Sequence, residues 1–391
     1  MSLKRLATTV RILVGVILFL WAGNGSVFSS SQEAQIQKLR IYGFFKTDFV
    51  FDDSKTNDVD ATNFVLPELP PGKDTQFGAT AKNSRLGLDF GGPKLWNGNI
   101  KGKMEVDFFD KTSDNAFKPR IRHLYADLVF PDWSLLVGQS WDVVGPLGPE
   151  TLNTNGWLWN AGNIGFRRTQ ARLTYKCEIS KYWMIALQMS VNRNIGILNG
   201  PLNTGDDSGW PLMEARMSVT KKILPDRRLE LGLGGLYGKE EIDRQATTLG
   251  HCWRAQQWGI VGDFLVPISR PLTLQGEFYL GSNLDALLAG IGQGVNLIKE
   301  TGINTGGGWA QISYRLAISF TLNGGFGVDS VDSNDINNGD KVRNQVFFFN
   351  VLFSPIESLS FGAEFSNWRT QYLSLEGANN NKIQGSMTWR F

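Results

Sequence analysis

Side chains able to grip an anion crowd into one stretch of this chain. FKPRIRHLYADLVF (117–130) carries Arg120, Arg122 and His123, and RRTQARLTY (167–175) carries Arg168 and Arg172. Between them lie Asp142 and Glu150. GNIKGKMEVDFF (98–109) adds Lys101, Lys103, Glu105 and Asp107 on alternate positions. A guanidinium is a rigid fork of donors matched to carboxylate or phosphate oxygens. Opposed charges around a wet passage set ion selectivity by direct electrostatics.

Bond-making chemistry finds no comparable support. The chain has 2 histidines, His123 and His251, and no nucleophile motif accompanies either. Its 2 cysteines, Cys177 and Cys252, are far from each other, and although His251 adjoins Cys252 no further ligand stands near that pair in sequence, so no metal cluster is legible. The glycines sit in strands and turns and do not form a phosphate-cradling loop. The expectation is a non-enzyme without cofactor or metal.

The elements that must position these charges repeat one pattern. Stretches of about ten residues alternate apolar and polar, the period of a strand with two unlike faces. In PLTLQGEFYL (271–280), Leu272, Leu274, Gly276, Phe278 and Leu280 oppose Thr273, Gln275, Glu277 and Tyr279. About sixteen such strands follow one another, from 39–51 and 83–91 to 382–391. Their connections alternate in length. Those after odd strands are mostly long and polar, among them 52–82, 141–167, 282–305 and 371–381. Those after even strands are short, such as PDW (131–133), EISK (178–181) and SPIE (354–357).

An even strand number, short turns at one rim and long loops at the other, with apolar-out and polar-in strands, describe a transmembrane up-and-down barrel. A soluble open sheet of that width would be exceptional. No segment after the N-terminus offers the about 18 consecutive apolar residues of a spanning helix. The C-terminal KIQGSMTWRF fits the same picture. Ile383, Gly385, Met387, Trp389 and Phe391 meet lipid, and the strand escapes being a bare edge by pairing with LRIYGFFKTDFVF (39–51). Alternation puts Lys46, Asp48, Arg85, Glu214, Arg216, Asp263, Glu277, Glu364 and Arg390 on the wet face. The fourth strand is out of step. Leu124, Ala126 and Leu128 face lipid, and His123, Tyr125 and Asp127 the lumen. Arg120 and Arg122 then fall on the lipid side by counting, or swing inward through a bulge near Pro119. Trp96, Trp133, Tyr182 and Trp183 flank short turns, where an aromatic girdle lies.

Lys4, Arg5 and Arg11 precede an apolar run, Ile12 to Ala22, and small residues follow. That is secretory leader architecture. The expected division is leader 1–29, a short segment 30–38 and the barrel 39–391. Net charge is +2, and losing the leader's three cations leaves about −1, no footprint for nucleic acid. The barrel plan puts Cys177 and Cys252 at opposite rims, beyond disulfide reach.

Residues 117–153, FKPRIRHLYADLVFPDWSLLVGQSWDVVGPLGPETLN, resemble the central signature of DcaP-like and related general porins of Gram-negative outer membranes: an arginine-rich strand, a short turn, a strand ending VGQSW, then a long third loop with PETL. RRTQARLTY resembles the strand returning from that loop, and Phe391 resembles the terminal signal read by the outer-membrane assembly machinery. The resemblance implies a sixteen-stranded barrel, a homotrimer set in lipid and lipopolysaccharide, passing small hydrophilic solutes and ions. It implies an inward third loop, with Asp142 and Glu150 facing Arg168 and Arg172 and with Arg120 and Arg122 nearby. Glu150 and Arg168 serve equally as pins tying that loop to the wall. Two readings stay open: passive, weakly charge-selective diffusion, or a binding site for small anions such as dicarboxylates. SSSQEAQIQ is too short for the N-terminal coiled coil of DcaP, which weakens any carry-over of its solute.

Overall fold

A computed structural model describes residues 38–68, 74–109, 118–196, 204–224, 226–243 and 252–391. The leader 1–29, the segment up to residue 37 and His251 lie outside them. The described chain is a closed antiparallel barrel. Its wall strands are β1 (Lys38–Asp52), β2 (Arg85–Leu95), β3 (Gly98–Asp107), β4 (Arg120–Val129), β5 (Trp133–Trp141), β6 (Arg167–Glu178), β7 (Trp183–Asn192) and β8 (Leu212–Leu224). They continue as β9 (Arg227–Ile242), β10 (Trp253–Pro267), β11 (Leu272–Ser282), β12 (Asn304–Ala317), β13 (Phe320–Val331), β14 (Lys341–Ile356), β15 (Leu359–Tyr372) and β16 (Leu375–Arg390). Each strand pairs with the next, and β1 closes the ring on β16 from Phe44↔Arg390 to Asp52↔Lys382. The 17 strands of the sheet make sixteen staves, because Gln76–Thr80 lies end to end with β2 along the same flank of β1.

The wall is apolar outside and polar inside. In β16, Ile383 is 59% exposed and Met387 47%, while Lys382 and Gln384 are 1% and 2%. In β1, Phe45, Phe49 and Phe51 are exposed and Lys46, Asp48 and Asp52 buried. In water such a surface would leave each large apolar group unburied at roughly 1.5–3 kcal/mol apiece. It is the surface of a sheet solvated by hydrocarbon. Trp96, Trp133, Tyr182 and Trp183 are exposed at the short-turn rim, and Phe391 packs on Phe45 with ring centroids 5.3 Å apart. The terminal residue is also bonded in, since Phe391 and Gly43 exchange both backbone hydrogen bonds at 3.1 Å.

Two expectations change. The connection 371–381 is no long loop: β15 and β16 join in a tight hairpin at Tyr372↔Leu375. GANNN reads as loop from composition, yet its asparagines pair across strands, Asn367 Nδ2 donating to Asn379 and Asn381. The phase break in β4 is a bulge, but at Arg122–His123 and not near Pro119. The β3–β4 register slips there, Glu105 opposing His123 and Val106 opposing Ile121. One extra residue puts Arg122 and His123, neighbours in sequence, on the same buried face, and Arg120 also leaves the lipid side. Cys177 and Cys252 are free thiols.

Beside the bulge, Gly138 of β5 has φ +129°, and a Cβ there would lie 2.3 Å from the Leu124 carbonyl oxygen. Gly138→Ala is expected to cost about 2–3 kcal/mol through strain and contact. The midpoint of heat-induced unfolding in detergent checks it, and an unchanged midpoint would contradict the close approach.

Candidate functional site

The connection between β5 and β6, residues 142–166, lacks regular secondary structure, so its backbone polar groups need partners elsewhere. The buried face of the wall supplies them in turn. Val143 N–H donates to Glu214 of β8 at 2.6 Å, Leu147 N–H to Glu277 of β11 at 2.6 Å, and Glu150 N–H to Gln311 of β12 at 2.6 Å. Leu152 N–H and the Thr151 hydroxyl both donate to Glu364 of β15 at 2.7 Å. Asn350 Nδ2 of β14 donates to the Glu150 carbonyl at 2.7 Å. The Leu152 carbonyl accepts from Lys46 of β1 and Gln384 of β16, both at 2.9 Å. Finally Asn155 accepts from Arg120 of β4 at 3.1 Å. Carboxylates and amides spaced around the ring thus hold one segment of main chain. Gly162, at φ +115°, lets the returning half approach β12, where a Cβ would sit 2.2 Å from the Gly308 carbonyl oxygen.

The segment is also clamped at its root. Arg168 Nε lies 2.8 Å from Asp142 Oδ1, and both side chains are sealed from solvent. Arg168 Nη2 donates to the Ala286 carbonyl at 2.9 Å. Two buried opposite charges in contact position a loop; they are not accessible to a passing ion. Burial pushes the Asp142 carboxyl up, against the pull of Arg168.

Arginines and carboxylates meet on β2 to β4. Arg120 makes a two-pronged pair with Asp107, at 2.9 and 2.7 Å. Arg122 reaches Glu105 at 2.9 Å and Asp107 at 2.7 Å. Arg85 is more loosely held, 3.8 Å from Glu105 with its guanidinium 5.3 Å from the Phe44 ring centroid. The guanidinium of Arg167 stacks 4.5 Å from the ring of Trp141. Three guanidinium groups therefore share two carboxylates, and the fourth, Arg167, is stacked on the ring beside them. Lys103 pairs with Asp89 at 2.9 Å, and Lys101 is exposed. Arg172, opposite Leu136, is partly buried and apart from this cluster.

A cavity of about 1070 Å³ runs from the short-turn rim, at Ile318 and Pro355, to the third connection. Arg85, Arg122, Trp141, Trp157, Glu150 and Arg390 face it. Glu150 is pinned by its main chain, while its carboxylate meets the cavity. Desolvation pushes that carboxyl above its ordinary range, and Arg390 offsets this in part. His123, edge-on to Trp141 at 6.3 Å, packs beside the cluster.

Alternation marked Arg85 as wet but did not mark it as part of this cluster. Arg167 was not among the expected site residues, its one signal being the doubled arginine that opens RRTQARLTY, and Trp141 stood only as the end of VGQSW. Among the described residues no group of three or more histidine, cysteine, aspartate or glutamate side chains could hold a metal.

The fold is that of solved outer-membrane channels. The outer membrane channel DcaP of Acinetobacter baumannii superposes with a TM-score of 0.70 at 18% identity, over 94% of this chain and 100% of that one. An anion-selective porin from Comamonas acidovorans gives 0.57 at 10% identity, over 90% and 99%. OmpF of Salmonella typhi, solved with daunomycin, gives 0.58 at 10%, over 90% and 98%. At these identities the likeness is one of fold. No protein-family model matches the chain, and no curated protein matches it by sequence.

Proposed function

We propose that this chain is an outer-membrane porin, a homotrimer in lipid and lipopolysaccharide that passes small hydrophilic solutes and ions by diffusion. In this reading the third connection is an internal belt that narrows the lumen. The narrow point lies between Glu150 and the arginines of β2 and β4. The observation that carries it is the cavity that leads from one rim to Arg85 and Arg122. Guanidinium groups outnumber carboxylates there, so the passage prefers anions weakly. The anion selectivity of the Comamonas porin of like fold supports that sign. Phe391, bonded into the closing seam, is the residue the assembly machinery reads.

A binding channel for small anions is the second reading. Arg85 favours it, because its buried Nε has no hydrogen-bond partner and its carboxylate lies at 3.8 Å. A bound carboxylate or phosphate would complete that coordination.

Reversal potential of the refolded protein in a planar bilayer under a KCl gradient tests the first reading. Anion preference with steps closing in threes supports it, and folded protein that never conducts sinks it. Conductance that saturates with a dicarboxylate selects the second. Acidification adds a prediction. As pH falls through the raised pKa of Glu150, that carboxylate loses its charge and anion preference rises. Its native state binds the proton more tightly than the unfolded chain, so this group's contribution to stability falls as pH rises. Glu150→Gln should remove this part of the pH dependence; a profile unchanged by the substitution would remove Glu150 from the passage.

A further inference from the structure

The charges that line the cavity divide into those already paired and those with bonding capacity to spare. Lys46 is spent on Asp48, and Arg122 on Glu105 and Asp107. Arg85 is different, for its guanidinium donates no hydrogen bond among the described residues and its nearest carboxylate is 3.8 Å away. Glu150 is bonded through its main chain, and its exposed carboxylate accepts nothing among the described residues. At the short-turn rim Arg390 and Glu357 are both exposed, and Arg390 N–H donates to the carbonyl of Ser358, the neighbour of Glu357, at 2.7 Å. Each level of the cavity therefore offers a solute one cation and one anion, not two charges of one sign.

The two inner posts have unlike surroundings. Beside Glu150, the Trp157 indole N–H donates to the Pro149 carbonyl at 3.0 Å, and its ring lies against Gly148, where a Cβ would overlap it. The indole is thus fixed next to the carboxylate, with both facing the cavity. A carboxylate beside an aromatic face suits an ammonium group, which gains a charge-assisted hydrogen bond from one and a cation–π contact from the other. Arg85, with free donors, suits a carboxylate. Between the two levels the flank on β14 to β16 presents Ser354, Ser360, Ser386 and Thr388, so a second carboxylate on a solute held at Arg85 finds hydroxyls and Glu150 there, and no free cation short of the rim.

We infer that the cavity selects small zwitterions, solutes with a carboxylate for Arg85 and an ammonium for Glu150 and Trp157, as in amino acids and betaines, over dianions of the same length. This rests on the porin reading and deepens it. The net charge of the wall biases simple ions, whereas the groups left free to bond decide which solute is held.

A matched series of solutes tests it. The ω-amino acids from glycine to aminohexanoate, each with the dicarboxylate and the diamine of the same length, are titrated into folded protein in detergent, and tryptophan fluorescence is read. At least one amino acid should bind roughly tenfold or more tightly than both of its matched partners, since each partner forfeits one of two charge-assisted bonds. Arg85→Gln and Glu150→Gln should each weaken that amino acid by roughly tenfold or more. Glu150→Gln should also tighten the dicarboxylate, because a like charge is gone; a merely structural role for Glu150 would not do that. A dicarboxylate that binds as tightly as its amino acid, binding indifferent to Glu150→Gln, or no saturable response to any solute would each overturn the inference. Fluorescence needs no conductance, so a folded protein that fails to conduct defeats the porin reading while the titrations still decide this one.

Discussion

Asp142→Ala is expected to release the root of the third connection while leaving the barrel closed. The variant leaves Arg168 charged and sealed from solvent, 2.8 Å from where its carboxylate was. Breaking one side of a buried pair costs about 3–5 kcal/mol, mostly from the stranded charge. Asp142 Oδ2 also accepts from Phe166 N–H at 2.9 Å, so the turn that returns the chain to β6 loses its closure too. The wall is held by its own ladders, so the loss is paid by local opening before global unfolding. Amide exchange at Val143 and Phe166 should accelerate by about two to four decades on that free energy. The heat-modifiable band should survive, and single-channel steps should become noisy. Asp142→Leu combined with Arg168→Leu should recover part of the loss, because no unpaired charge remains. An Asp142→Ala protein with native exchange at both amides would show that the pair is dispensable.

Arg85→Gln with Arg122→Gln should abolish the anion preference proposed above. The cluster holds Arg85, Arg120, Arg122 and Arg167 against Glu105 and Asp107. The double substitution brings guanidinium and carboxylate into balance. Two unit charges at contact distance in a water-like medium interact by roughly 1 kcal/mol, and salt screens part of that. The anion-to-cation permeability ratio should therefore fall roughly three- to tenfold. Asp107 keeps its two-pronged bond from Arg120, so the wall register is expected to hold. Reversal potential before and after substitution measures the effect. An unchanged ratio would place the selective point elsewhere in the lumen.

Much of the wall was legible because a strand's two faces are written in its own residues. Ile383, Met387 and Trp389 against Lys382, Gln384 and Thr388 needed no partner to be read, and the same alternation marked Glu214, Glu277 and Glu364 as inward. The bulge was legible as a conflict, with Arg120 and Arg122 out of phase with Leu124, but its place was not. A single extra residue at Arg122–His123 depends on which register of β3 against β4 pairs Glu105 and Asp107 with guanidinium donors. The hairpin at Tyr372 was hidden because asparagine composition signals loop, whereas cross-strand bonding from Asn367 makes it strand.

The sequence by itself determined a barrel with one long-looped rim, an apolar outside and a charged inside, because period-two alternation and turn chemistry are local properties of the chain. Only the tertiary structure decided where the third connection lies and which charges are spent holding it. The Leu152 carbonyl is bonded by Lys46 and Gln384, 106 and 232 residues away, and no local pattern encodes that meeting. Closing the ring brings those side chains to one height, and the backbone's need for partners then converts apparent pore charges into anchors.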